Sequence, residues 1–181
     1  MKITSTKIKD VLIIKQNTFY DERGEFFESW NKQLFNQHRL NINFSQDNIS
    51  ISKKNVIRGL HFQEDPYQQL KLVRVLNGSG TDVIVDLRKG SETFGQHICI
   101  ELSISNKIMI LVPKGCAHGF ASHENNTILS YKCEGEYNPQ YEKTIIWNDQ
   151  HLNIEWKLKN PILSKKDLNG ISFEQYQSQI I

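Results

Sequence analysis

Two histidines in this chain sit where an imidazole needs a reason to be. His61 lies in GLHF and His118 in AHGF, each close to a glycine inside an apolar context. A buried imidazole is costly unless its nitrogens are paired. Each is therefore either a hydrogen-bonded core residue or an acid–base group, and at this level both readings stand. Of the other four, His38 and His151 lie in polar surroundings, and His97 and His123 lie near turns. A metal site would need three or four ligands, often in an HxH or HxxxH pair. The chain has no HxH, and His118 and His123 are five apart across a loop, so the pattern gives a metal no support.

General acid–base chemistry suits the remaining residue types better. Lys71 opens an apolar segment after the turn EDPYQQ. A hairpin there would place it beside His61, and the shared parity of 61 and 71 permits one face. Tyr131, in TILSYKC, is either a strand-favouring aromatic or a phenol able to give a proton to a carbanion. Asp167, in NPILSKKDL, reads alone as a helix cap or a surface residue. Arg23 in the DERG turn reads alone as solvated, and Gln46 adds a further polar group. Arg58 is harder to dismiss, because IRGLHFQ puts it three residues before His61. Strict alternation sends positions 58 and 61 to opposite faces of a strand. Gly59 between them permits a bulge, which would turn an anion-binding guanidinium and a base toward one pocket.

The elements that must hold these groups read as short strands. KLVRVL (71–76), TDVIVDLR (81–88), QHICIELS (96–103), IMILV (108–112) and TILSYKC (127–133) are separated by Gly- and Asn-containing turns. VLIIK and EFFESW, around the turn YDERG, also look strand-like. Such spacing predicts an all-β sandwich or barrel. NKQLFNQHRL (31–40) and SFEQYQSQ (172–179) are the candidate short helices. The expectation is a single all-β jelly-roll domain over residues 1–181 with a few short peripheral helices. The 181 residues suffice for one core. A net charge of +2 is too small to argue for nucleic acid or a membrane surface. No apolar run approaches a membrane span, and Val11–Ile14 is too short for a signal-peptide core. The three cysteines contain no CxxC and read as reduced thiols, so the expected setting is cytoplasmic.

Eight segments, in order, carry a resemblance. FYDERGEFFE, SQDNISIS, IRGLHFQ, KLVRVLNG, DVIVDLRKGSETFGQ, LVPKGCAHGF, SYKCEGEYNP and NPILSKKD together resemble the dTDP-4-dehydrorhamnose 3,5-epimerase family. The resemblance implies a cupin-like jelly-roll barrel that needs no cofactor and no metal. It implies a homodimer in which N-terminal strands pair with the partner's sheet. The implied substrate is a nucleotide sugar with a ketone at sugar carbon 4. Protons at carbons 3 and 5 flank that carbonyl, so removing one yields an enolate, and return to the other face inverts the centre.

On the resemblance, His61 is the base and Asp167 the carboxylate that orients it. Lys71 stands beside the carbonyl oxygen, where a cation stabilises charge that develops in the transition state. Tyr131 is the acid on the opposite face. His118 lies near the sugar or its carbonyl. Arg58 and Arg23 resemble diphosphate contacts. Gln46, Asn48, Phe26 and Glu28 resemble nucleotide-side positions, some supplied by the partner chain. Tyr137 resembles the aromatic at the base or sugar end. Three positions depart from the family pattern: His97 for tryptophan, Cys116 for phenylalanine, and Glu136–Tyr137 for paired tyrosines. They are expected to bear on pocket shape, and relatives that invert carbon 3 alone or use another nucleotide keep much the same residues.

Overall fold

The computed structural model describes residues 1–180. Its strands are β1 (Lys2–Ser5), β2 (Leu12–Lys15), β3 (Phe19–Asp21) and β4 (Gly24–Phe26), followed by the helix α1 (Lys32–Gln37). Then come β5 (Gln46–Ser52), β6 (Ile57–Gln63), β7 (Leu70–Asn77), β8 (Ser79–Asp86) and β9 (His97–Ser103). The chain continues through β10 (Ile108–Val112), β11 (Cys116–Ser122), β12 (Thr127–Glu134) and β13 (Glu142–Thr144) to α2 (Lys165–Leu168) and α3 (Phe173–Ile180). A six-stranded sheet runs β1-β2-β10-β7-β12-β5, and a five-stranded sheet runs β13-β6-β11-β8-β9. All their ladders are antiparallel. This is the jelly-roll barrel expected from the strand spacing. Among the described residues no helix is long and apolar enough to cross a membrane.

Side-chain alternation divides the apolar residues into three layers. Between the sheets lie Val73, Val75, Ile84, Leu102, Ile110, Phe120 and Leu129, drawn from both. The outer face of the five-stranded sheet carries Leu60, Phe62, Val83, Val85 and Ala117, packed under Ile145, Trp156, Phe173 and Tyr176 from the C-terminal third. The outer face of the six-stranded sheet carries Ile14, Leu72, Met109 and Leu111, covered by Phe35 of α1 and by Ile42. Strands covered on both faces lose the polar alternation of a half-exposed sheet, which is why β8 and β11 are buried along almost their whole length.

Three local expectations change. Lys71 and His61 are not hairpin neighbours, because β6 and β7 belong to different sheets. The EDPYQQ segment crosses from one sheet to the other, so the shared parity of 61 and 71 brings the side chains face to face across the barrel. The strand expected over EFFESW stops at Phe26, where its short partner β3 runs out. The chain then turns so that Phe27 lies under Arg74, 4.8 Å from the guanidinium, and Trp30 packs on Phe35 and Phe44. Finally, Asp167 is no surface residue. It is buried in the first turn of α2.

Candidate active site

The strand IRGLHFQ is bulged where its glycine falls. His61 pairs with His118, and Arg58 pairs with Phe120, so three steps on β6 match two on β11. Ile57 and Leu60 both face the outer cluster. Gly59 is therefore the extra residue, and Arg58 and His61 share the inner face. Only glycine fits there. Its φ is +120°, and a Cβ would stand 2.5 Å from the Gly119 Cα and 2.7 Å from the His118 carbonyl oxygen.

Two adjoining hollows of about 380 and 200 Å³ open between the sheets, and His61, Lys71 and Tyr131 line both. His61 comes from the five-stranded sheet, Lys71 and Tyr131 from the six-stranded sheet. The larger hollow adds Gln46, Asn48, Cys133, Tyr137 and Glu142, and the smaller adds Ser50, Arg58, His118, Ser164 and Asp167. The pairings Gln46 with Cys133 and Asn48 with Tyr131 on β5 and β12 explain why alternate residues of those strands converge on one wall.

His61 Nε2 lies 2.5 Å from Asp167 Oδ1. The ionised carboxylate only accepts, so Nε2 carries the proton, and in the neutral ring this tautomer leaves the lone pair on Nδ1. Asp167 is itself fixed by the N-cap of α2: the Ser164 hydroxyl donates to Oδ2 at 2.7 Å and accepts from the Asp167 amide at 3.1 Å. Burial alone would raise the Asp167 pKa. Hydrogen bonds from His61, Ser164 and the Gly59 amide outweigh it and hold the carboxyl below its usual range. His118 repeats the motif, with Nε2 2.7 Å from Oδ1 of the fully buried Asp82.

The facing wall is electrostatically different. Burial pushes the Lys71 ammonium below its usual pKa, while Cys133, Glu142 and Asp82 pull it back upward. Burial raises the Tyr131 phenol, so it holds its proton at neutral pH. Burial would also raise Glu142, but hydrogen bonds from Lys166, at 2.5 Å, and from the Tyr137 hydroxyl, at 2.9 Å, keep its carboxyl low. The His61 imidazole thus faces the protonated Tyr131 phenol across a space that also holds the Lys71 amine.

The structure gathers His61, Asp167, Lys71, Tyr131, Arg58, His118, Gln46, Asn48 and Tyr137 at these hollows. It does not bring Arg23, Phe26 or Glu28 to them. All three are exposed, Arg23 and Phe26 on the β3–β4 hairpin and Glu28 just beyond it. His97 and Cys116 are absent from both linings. Glu136 is off the walls too, but its carbonyl accepts from Gln63 Nε2 at 3.1 Å, and Gln63 and Tyr137 both line the larger hollow. Cys116 packs instead in the layer between the sheets, where burial pushes its thiol up to about 12. Sequence reasoning missed Glu142, Cys133, Ser50, Gln63 and Gln69 on the walls, and Asp82 behind His118. Alternation from Tyr131 would have reached Cys133, and alternation from Gln46 and Asn48 would have reached Ser50. Nothing local marks Glu142 or Asp82. Among the described residues no three His, Cys, Asp or Glu side chains gather as metal ligands would.

An imidazole on one sheet and a protonated phenol on the other, facing one cavity of a cupin-like barrel, are the parts an acid–base isomerase needs. The family described as dTDP-4-dehydrorhamnose 3,5-epimerase matches residues 5–175. The chain is 47% identical to the dTDP-4-dehydrorhamnose 3,5-epimerase of Salmonella typhimurium, covering 92% of each. Among solved structures, the corresponding enzyme of Elizabethkingia anophelis superposes with a TM-score of 0.91 at 44% identity, over 97% of each chain. The Legionella pneumophila dTDP-6-deoxy-D-glucose-3,5-epimerase, solved with dTDP-4-keto-L-rhamnose, gives 0.92 at 39% identity, over 99% of this chain and 96% of that one. This chain belongs to the dTDP-4-dehydrorhamnose 3,5-epimerase family and is a carbohydrate epimerase.

Proposed function

We propose that the chain performs its family's reaction, inverting carbons 3 and 5 of a dTDP-4-keto-6-deoxyhexose, with His61 as base and Tyr131 as acid. The observation that carries this is the placement of those two side chains on opposite sheets of one cavity. His61 Nδ1 takes the proton from the carbon beside the ketone, and the electron pair passes to the carbonyl oxygen as an enolate. Lys71 lies where a cation stabilises that oxygen as its charge develops. The Tyr131 hydroxyl returns a proton to the other face of the same carbon. The new imidazolium is stabilised by Asp167. One proton leaves and one arrives, so the step balances without an oxidant or reductant.

Arg58 suits a diphosphate oxygen, and its Nε is already held by the Ser52 hydroxyl at 3.1 Å. Gln46, Asn48 and Tyr137 suit the nucleotide side of the larger hollow, and His118 the sugar side of the smaller. Arg23, Phe26 and Glu28 would then serve a second copy. We read the protein as a cytoplasmic single-domain homodimer in which the β3–β4 hairpin completes the partner's cavity. Three features support this reading. Phe19, Tyr20 and Phe26 stand exposed on the hairpin, Ile49 and Ile51 are bare on the edge strand β5, and all three cysteines are free thiols.

Solvent exchange tests the reaction. In deuterated water with dTDP-4-keto-6-deoxyglucose, deuterium should enter carbons 3 and 5. Label at carbon 3 alone would make the protein a mono-epimerase, and no label would reject the reading. His61→Asn should abolish exchange. Tyr131→Phe should keep proton loss and lose inversion.

A further inference from the structure

The β3–β4 hairpin is a ribbon of three residue pairs with no third strand. A ribbon of that size is marginal alone and takes its position from whatever holds it. Its middle rung pairs Tyr20 with Glu25. Lys107, in the turn between β9 and β10, grips both members of that rung. Its Nζ donates to the Tyr20 hydroxyl at 3.1 Å and pairs with the Glu25 carboxylate. The same ammonium lies 5.1 Å from the centre of the Tyr20 ring. The Lys107 side chain is only 12% exposed, although the rung it holds is on the surface. By strand alternation the neighbouring rung, Phe19 with Phe26, faces the other way. That rung is bare, while Arg23 sits in the turn at the other end of the ribbon, beyond the Asp21–Gly24 rung, with its guanidinium on the Asp21 carboxylate.

We propose that Lys107 is a positioning residue. By gripping one rung it fixes the hairpin's roll, so that Phe26 and Arg23 are presented to the cavity of a second copy of the chain. This rests on the shared-cavity reading above. A lone surface ion pair contributes little. Here one ammonium imposes an ion pair, a hydrogen bond and a ring contact on two adjacent strands, so its loss frees the ribbon to swing.

The expected signature is in substrate binding, because Arg23 would hold the diphosphate equally before and during the reaction. Lys107→Met keeps the side-chain stem and removes the charge. It should raise KM roughly tenfold with kcat within about twofold of wild type. Lys107→Arg should largely restore KM, and Glu25→Gln, which loosens the same grip from the other side, should raise it. A hybrid dimer of Lys107→Met with His61→Asn locates the effect. Its one working cavity receives the intact hairpin of the His61→Asn chain, so KM should return to wild type at half the kcat. A hybrid with raised KM overturns the proposal, as does an unchanged KM in Lys107→Met or a loss confined to kcat. If wild type sediments as an active monomer, the shared cavity falls and the proposal falls with it. A dimer with unchanged KM defeats the proposal alone.

Discussion

In the proposed mechanism the imidazole of His61 and the carboxylate of Asp167 divide the work of a base. Asp167→Asn keeps the shape but can place its amide donor toward Nε2, which would leave the ring in the wrong tautomer. kcat should fall by about 10²–10⁴-fold, measured at saturating substrate. The Asp167 pKa is held below its ordinary 3.8, so its contribution to stability is complete above that value and is lost as pH falls through the folded pKa. The variant should therefore show a shallower decline in Tm on acidification, from a lower starting point. Lys71 behaves oppositely. Its folded pKa is lowered from 10.5, so between those two values the folded state holds fewer protons than the unfolded state. Lys71→Met should raise Tm by about 2–4 °C at neutral pH for a gain of about 1 kcal/mol, while kcat collapses. The Tm gap should narrow as the pH is raised through that window. His61 was legible because an imidazole in an apolar run stands out, whereas Lys71 alone reads as an ordinary end-of-strand lysine and Tyr131 as a strand-favouring aromatic, so their roles came from the family resemblance. Glu142 and Asp82 were not legible. Each reaches the site only through partners brought by the fold, Tyr137 and Lys166 for Glu142, and His118 for Asp82.

Strands were legible and their sheets were not. Alternation and turn residues place β7, β8, β9, β10 and β12 within about two residues, since each of those strands buries a face, whereas β11 over AHGFAS was not read as a strand. Nothing in EDPYQQ says whether the next strand pairs beside β6 or crosses to the facing sheet, and Lys71 was misplaced for that reason. The bulge was readable because Gly59 has no other purpose mid-strand. Gly59→Ala should be severe: the methyl group would collide with backbone on β11 at a φ that alanine resists. A loss of about 3 kcal/mol or more in urea unfolding is expected, and activity should fall further than stability explains because His61 and Arg58 move apart. The four-residue α2 has no period to detect, and its only sequence mark is Ser164 three residues before Asp167. Ser164→Ala removes the cap and one hydrogen bond to the carboxylate. It should cost about 1 kcal/mol and reduce kcat several-fold without changing KM.

At the scale of the whole molecule, the surface is uneven in a way that bears on assembly. β5 is an edge strand whose inner face builds the cavity and whose outer face leaves Ile49 and Ile51 63–65% exposed. A long bare apolar edge invites pairing with another chain, and soluble proteins rarely leave one unprotected. The cavity wall and the proposed contact surface are thus opposite faces of one strand, so association would brace Gln46 and Asn48 on the cavity wall. Ile49→Lys with Ile51→Lys changes only the outer face. Sedimentation of that double variant should shift toward monomer at concentrations where wild type is dimeric. Its activity per chain should fall on dilution and recover at high concentration, following mass action, while wild-type activity stays flat over the same range. A monomeric double variant with full activity at every dilution would show that each cavity is complete within its own chain. Arg23 and Phe26 would then have no part in binding.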